Sequence, residues 1–235
     1  MIIDGLAGFD PRKQYEPEEL FDLGEVDTTI AGLDMYAPDW VEQAAEKVNA
    51  VEGNTYVKLN RGVLTVTQID ALLDSIPLEF SFIDDNNQFI YYNNEKDAAD
   101  MWASSNPESV GQPLGSLHPE QITNYAKMII QQLRAGETDV VRIGHPAAGG
   151  EQFLVHNYQR MQDQEENYLG VNEYVTDMKP IIEWYLKHTN QKLMPNDEAD
   201  SGVNGMPIDG ISGATEKPPA QGKVDAVSGA SKKPH

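Results

Sequence analysis

An α+β domain built on an antiparallel sheet is the fold class this sequence predicts, and three observations carry it. Apolar, aromatic-rich runs flank Asp84-Asp85-Asn86-Asn87, a cluster that suits a tight hairpin turn. Three further strand-like runs, 139–144, 152–161 and 168–176, follow one another with no helix between them. A long amphipathic pattern over 119–135 separates the two groups. Strands gathered in clusters argue against alternating βαβ units.

Along 1–38 the chain is acidic and broken by Gly and Pro, and Leu20, Phe21 and Leu23 keep no period, so an irregular segment is expected. Trp40, Ala44 and Val48 then recur every four residues, with Gly53 as a stop signal, which predicts a helix over 39–51. A short strand is expected at 55–59. Thr65 followed by Gln68 makes a capping pattern ahead of the stripe Ile69, Leu72, Leu73 and Ile76, and Pro77 ends that helix. In the hairpin that follows, Phe80 and Phe82 alternate with Glu79 and Ser81, as in a half-buried strand, and 89–92 returns. A short helix is expected at 95–104 and a loop at 106–117.

Over 119–135, Pro119 and Glu120 suit a first turn, and Ile122, Tyr125, Ala126, Ile129, Ile130 and Leu133 fall on one face. Gly149-Gly150 and 163–167 supply turns between the last strands. A final amphipathic helix at 178–188 carries Ile181, Ile182, Tyr185 and Leu186. The chain therefore divides into an acidic extension with one short helix (1–64), an α+β domain (65–190) and a tail (191–235) whose Gly, Pro and Ser content predicts disorder.

Seventeen Lys and Arg against thirty-eight Asp and Glu leave a formal charge of -21. Phosphate backbones and anionic lipid surfaces repel such a surface, which argues against nucleic-acid and peripheral membrane binding. No cysteine is present, so disulfides, thiolate metal sites and thiol nucleophiles are excluded together. No run is long enough for membrane insertion, and MIIDGLAGFD lacks a basic segment followed by an apolar one, so a cytoplasmic location is expected.

The stretches FSFIDDNNQFIYYN, VGQPLGSLHPEQ and NYLGVNEYVTDM, in this order, resemble a PAS domain: its opening hairpin, its entry to the long helix and its closing strand. The likeness is greatest to the PAS domains at the end of some bacterial hemerythrin-like proteins. It implies a PAS-like five-stranded antiparallel sheet with flanking helices around a pocket. It also implies a sensory role, with a ligand, a cofactor or a signalling partner, a second copy of the chain among the candidates.

The tail holds Asp209-Gly210-Ile211-Ser212-Gly213-Ala214-Thr215 and, sixteen residues on, Asp225-Ala226-Val227-Ser228-Gly229-Ala230-Ser231. A linker has no physical reason to hold an acid, an aliphatic residue and a terminal hydroxyl in register twice. The pattern is similar to the flavinylation signature of bacterial FMN-binding domains. There a flavin transferase moves FMN from FAD onto the last hydroxyl as a phosphoester. By position the acceptors would be Thr215 and Ser231, with Asp209 and Asp225 as recognition acids. Gly213 and Gly229, after Ser212 and Ser228, would let the backbone enter the transferase. No FMN-binding domain surrounds the motifs, and serine replaces threonine at 231.

Among the histidines, His118 lies where haem-binding PAS domains place a ligand, so the resemblance makes it an alternative axial ligand. Read plainly, His118-Pro119 begins a helix, His145-Pro146 makes a turn and His156 alternates on a strand face. The spacing of the three fits no compact metal motif. Ser212 and Ser228 lie in S-G-A rather than a nucleophile elbow, and no acidic pair has a supporting base, so no enzyme activity is expected.

Overall fold

The computed structural model describes residues 29–93, 100–103, 105–118 and 120–194. Its elements are α1 (Trp40–Val48), β1 (Tyr56–Leu59), β2 (Gly62–Thr65), α2 (Val66–Asp74), β3 (Glu79–Asp84), β4 (Phe89–Tyr92), α3 (Glu120–Arg134), β5 (Val140–Ala147), β6 (Gln152–Gln162), β7 (Tyr168–Asp177) and α4 (Lys179–Thr189). Five strands form one antiparallel sheet in the order β4-β3-β7-β6-β5, and β1 and β2 make a separate hairpin. The predicted α+β class and the five-stranded sheet are both present. Of the expected helix at 95–104, residues 95–99 and 104 lie outside the described residues, and 100–103 are not helical.

One face of the sheet carries the core. Ile129, Ile130 and Leu133 of α3 pack against Ile83, Phe89, Val141, Ile143, Tyr158 and Val171, all buried. The α3 stripe lands where its period predicts. At the other end of the chain, Trp40 and Ala44 of α1 belong to the same cluster, with Ile30, Leu33 and Ala37 packed beside them. The helix expected in the extension is thus seated in the domain. Trp40 fits because Gly111 lies beneath its ring: a Cβ at Gly111 would stand 2.6 Å from an indole carbon.

Three local expectations are corrected. In β3 the alternation runs the other way: Glu79, Ser81 and Ile83 are buried against the helix-covered face, while Phe80 and Phe82 stand half-buried on the opposite one. There Phe80 meets Tyr91, with ring centroids 6.1 Å apart. Polar residues occupy the inner face because the space beside them is not filled by side chains, as described below. Second, His145-Pro146 makes no turn. Strand β5 runs through both to Ala147, pairing Pro146 with Phe153. β5 is an edge strand, where a residue without an N–H is tolerated. Third, the capping box of Thr65 and Gln68 forms as predicted, yet α2 buries none of its stripe and Leu72 stays exposed. Amphipathic period identifies a helix but not what covers it. The same holds for Ile181 and Tyr185 of α4, which are exposed.

The β3–β4 turn is built as its Asp and Asn residues predict. Asn87 takes a left-handed backbone angle (φ 62°). Asp84 Oδ1 accepts the N–H groups of Asn86 and Gln88, both at 2.9 Å, and its Oδ2 accepts the hydroxyl of Thr29. Gln88, fully buried, accepts the Thr29 N–H and donates to the Gly111 carbonyl at 2.5 Å. One turn therefore ties the N-terminal segment to the loop under Trp40.

Burial raises the Asp84 carboxyl above its ordinary pKa, more than these hydrogen bonds lower it. The folded chain holds this proton more tightly than the unfolded chain does. That contribution to stability is complete below about pH 4, the unfolded value, and is lost as pH rises through the folded one. Asp84→Asn cannot titrate. The wild type's stability relative to Asp84→Asn should therefore fall as pH rises above about 4, read from paired urea midpoints. A difference that does not change with pH refutes the assignment.

Candidate functional site

A cavity of about 350 Å³ lies between the inner face of β3 and β7 and the segment 101–118. Its size falls near the lower end of the range for small-molecule sites, about 300–1,000 Å³. Strand period explains the floor: Glu79, Ser81 and Ile83 of β3 and Glu173 and Val175 of β7 share one face. Register sets Ser81 opposite Glu173 and Glu79 opposite Val175. Phe89, Met101, Leu114 and Leu117 give the cavity an apolar side. Ser109, Gln112, Ser116 and His118 line it from the loop, and Asn106 and Glu108 stand exposed at its rim.

Two carboxylates are buried in this floor, Glu79 at 4% exposure and Glu173 at 7%. A buried charge is tolerated only where donors or counter-charges meet it. Glu79 Oε2 accepts the N–H groups of Trp102 (2.6 Å) and Ala103 (3.0 Å), which fastens the 101–103 wall to β3. Glu173 Oε1 is met by His156 Nδ1 at 3.3 Å. His156 Nε2 in turn lies 3.4 Å from His145 Nε2, with the two rings stacked. The β5–β6 pairing thus joins two histidines eleven positions apart in the chain into a buried row that ends on a cavity acid.

Tyr158 stands opposite Glu173 on the other side, in β6. It lines a small apolar recess that shares Glu173, His118, Ile83 and Leu114 with the main cavity. Its hydroxyl is buried beside the Glu173 carboxylate. Burial first, then the Glu173 charge and a hydrogen bond to that carboxylate, push this phenol well above its ordinary pKa, so it keeps its proton. Tyr158→Phe removes that donor and should cost about 1–2 kcal/mol, measured by chemical denaturation. No loss, or a gain, would show that the hydroxyl is unsatisfied in the folded chain.

Of the residues singled out from sequence, His118 lines the cavity and His145 and His156 form the row behind it. His118 Nδ1 lies 3.1 Å from the Leu114 carbonyl, so this nitrogen is the donor. A haem bound at His118 would set a large apolar ring beside the buried Glu79 and Glu173 carboxylates. Among the described residues no group of three or more His, Asp or Glu side chains is placed to hold a metal ion. Asp209, Ser212, Gly213, Thr215, Asp225, Ser228, Gly229 and Ser231 lie outside the described residues. Sequence reading missed Glu79, Glu173 and Tyr158. The signal was the alternation Val171, Glu173, Val175, which sets a carboxylate on the apolar face of β7.

A family model described as a PAS domain matches residues 69–179. Residues 69–179 of the chain form a PAS domain. The C-terminal domain of a Streptococcus mutans protein is 31% identical over 57% of this chain and 99% of its own length, with a TM-score of 0.54. A PAS domain from Colwellia psychrerythraea is 14% identical over 48% of this chain and 97% of its own (TM-score 0.36). A sensory box sensor histidine kinase from Vibrio cholerae is 13% identical over 47% and 87% (TM-score 0.33). No curated protein matches the chain. In this PAS domain the cavity, with Glu79 and Glu173 in its floor, lies between the sheet and the segment that precedes α3. No helix among the described residues is long and apolar enough to cross a membrane.

Proposed function

We propose that this PAS domain is a sensory module that takes a small molecule into the cavity between β3, β7 and the 101–118 loop, and passes its occupancy to a signalling or redox partner. The observation that carries this reading is the cavity itself: about 350 Å³, with two buried carboxylates in its floor where a domain built only for stability would place apolar side chains. In this reading the module binds and reports its occupant. Protein purified from its native host should carry a released small molecule when native and denatured masses are compared. Ser81→Leu, which fills the floor, should abolish that difference. Equal masses, together with no thermal shift from a metabolite library, would refute the reading.

A second reading concerns the tail, and the tandem motif favours it. Thr215, and Ser231 more weakly, are proposed acceptors of FMN from a flavin transferase, which would make the protein a carrier of electrons beside its sensory domain. The hydroxyl oxygen would form a phosphoester while the FAD pyrophosphate bond breaks and AMP leaves. The hydroxyl proton would pass to a base of the transferase, since the tail offers none nearby. A tether of about twenty residues reaches roughly 25 Å, enough to cross a small domain. Denatured protein co-produced with an active transferase should show yellow in-gel fluorescence that disappears in the double variant Thr215→Ala/Ser231→Ala. A colourless product disproves the carrier and leaves the cavity untouched. The type of PAS domain found in hemerythrin-like proteins would be a fitting setting for such redox traffic.

A further inference from the structure

We infer that the buried His145–His156 pair is a proton switch: it holds one shared proton behind the cavity, and losing that proton loosens the end of the sheet on which α4 is seated. The inference goes beyond ligand binding and does not need the cavity to be occupied.

The proton count follows from three contacts. His156 Nδ1 meets Glu173 Oε1 at 3.3 Å, His156 Nε2 meets His145 Nε2 at 3.4 Å, and His145 Nδ1 meets the Pro146 carbonyl at 3.3 Å. The carboxylate and the carbonyl only accept, so each needs an N–H from the ring that faces it. Between the two Nε2 atoms one proton makes a bond. None leaves two lone pairs face to face, and two set N–H against N–H. The three contacts together therefore require three ring protons, whereas two neutral imidazoles carry two. The row is complete only when the pair carries one positive charge, which Glu173 balances across the His156 contact.

His156 is 1% and His145 9% exposed, so water does not replace a contact that is lost. Other titratable or charged groups surround the row among the described residues. Tyr158 of β6 hydrogen-bonds Glu173 and keeps its proton. Glu79 of β3 and His118 of the loop before α3 share the cavity with Glu173. Asp177 of β7 is in register with Leu154, which is itself in register with His145. The helix α3 packs on β5, β6 and β7, and half-buried Lys127 is its charged residue between Thr123 and Ile130. Of these acids, Glu173 is in direct contact with the pair.

The contact that gives way lies at the edge of the sheet. Glu173 holds the His156 Nδ1 proton by charge. After one proton has left, His145 can donate from Nδ1 to Pro146 or from Nε2 to His156, but not to both, which gives the row two discrete arrangements. His145 and Pro146 belong to the edge strand β5, and Pro146 pairs with Phe153. Phe153 is where α4 is fastened. Its N–H donates to Asp177 Oδ1, which also accepts the Lys179 N–H, and its carbonyl accepts the Met178 N–H at 2.9 Å. Lys179 Nζ donates to the Gly150 carbonyl in the β5–β6 turn, also at 2.9 Å. A rearrangement at His145 thus reaches the start of the helix that leads into the tail.

NMR of the imidazole nitrogens and backbone amides, in the full chain labelled at histidine, tests this between about pH 5 and pH 9, the range in which histidine changes charge. Exposed His188 serves as the internal reference. At the acid end His145 should be protonated on both nitrogens and His156 on Nδ1 alone, and the pair should release a single proton across the range. The amides of 150–153 and 177–179 should shift with the same midpoint as the His145 ring. His145→Gln should abolish that amide titration while His188 titrates as before. Glu173→Gln should lower the midpoint by about one pH unit or more, because the balancing charge is gone. Two rings that each take up a proton independently, or that both stay neutral throughout, overturn the shared proton. Ring titration without movement of these amides overturns the switch, and so does amide movement that persists in His145→Gln. Should His145→Gln fail to fold, the wild-type midpoints decide, and ring and amide midpoints that differ overturn the inference. None of these outcomes bears on whether the cavity holds a small molecule.

Discussion

Gly170→Ala is expected to destabilise the fold by about 3 kcal/mol or more, a loss at the upper end of what single substitutions produce. Gly170 lies in β7 opposite Asp84, with φ at +129°, a backbone conformation that side chains rarely adopt. A Cβ there would overlap the Ile83 carbonyl oxygen and stand 2.8 Å from the Asp84 Cα. These are backbone atoms of a central strand, so no rotamer change relieves the clash. Separating β7 from β3 would also break the register that sets Ser81 opposite Glu173. Gly53→Ala is the control, because its φ is +60° and a Cβ would meet nothing within 4 Å. That change should cost only about 1 kcal/mol, the backbone term alone. Urea denaturation of the two variants checks the contrast, and equal losses would remove overlap as the cause.

Trp40→Ala should cost about 3–5 kcal/mol, as large aromatic truncations in a core do. Trp40 is 5% exposed and packs in one cluster with Val110, Leu114 and Phe89. Alanine would leave a void above Gly111 that the loop cannot close without moving the cavity wall beside it. Denaturant midpoints give the magnitude, and limited proteolysis within 29–50 shows whether α1 has come away. A cost below about 1 kcal/mol would mean that α1 is an appendage and not part of the domain.

Elements governed by short-range period were legible in the chain. The α3 stripe, the Thr65–Gln68 cap and the Asp84–Asn87 turn each depend on residues close in sequence, and each stands where it was expected. What failed depends on partners far away. Phe80 and Phe82 looked like core because aromatic residues usually are, but the inner face surrounds a cavity and takes Glu79 and Ser81 instead. Pro146 looked like a turn, since nothing local says that its strand will lie at a sheet edge. β2 was missed because four residues between a turn and a capping box carry too little pattern to read.

The candidate site was legible only in part, for the same reason. His118 was singled out from its place before α3, and it does line the cavity. His145 and His156 looked unrelated at eleven positions apart until β5 and β6 paired. Glu79 and Glu173 are ninety-four positions apart, and only the β3–β7 register brings them to one floor.

The seat of Trp40 on Gly111 has a consequence for signalling. Ser109, Gln112 and Leu114, on either side of that glycine, line the cavity, while the glycine itself bears the indole. Any occupant that prefers the seated arrangement of α1 is, by reciprocity, held more tightly when α1 is seated, and by the same factor. A molecule arriving inside and a partner pulling on the N-terminal helix outside would then be competing or cooperating effectors of a single equilibrium, without touching each other.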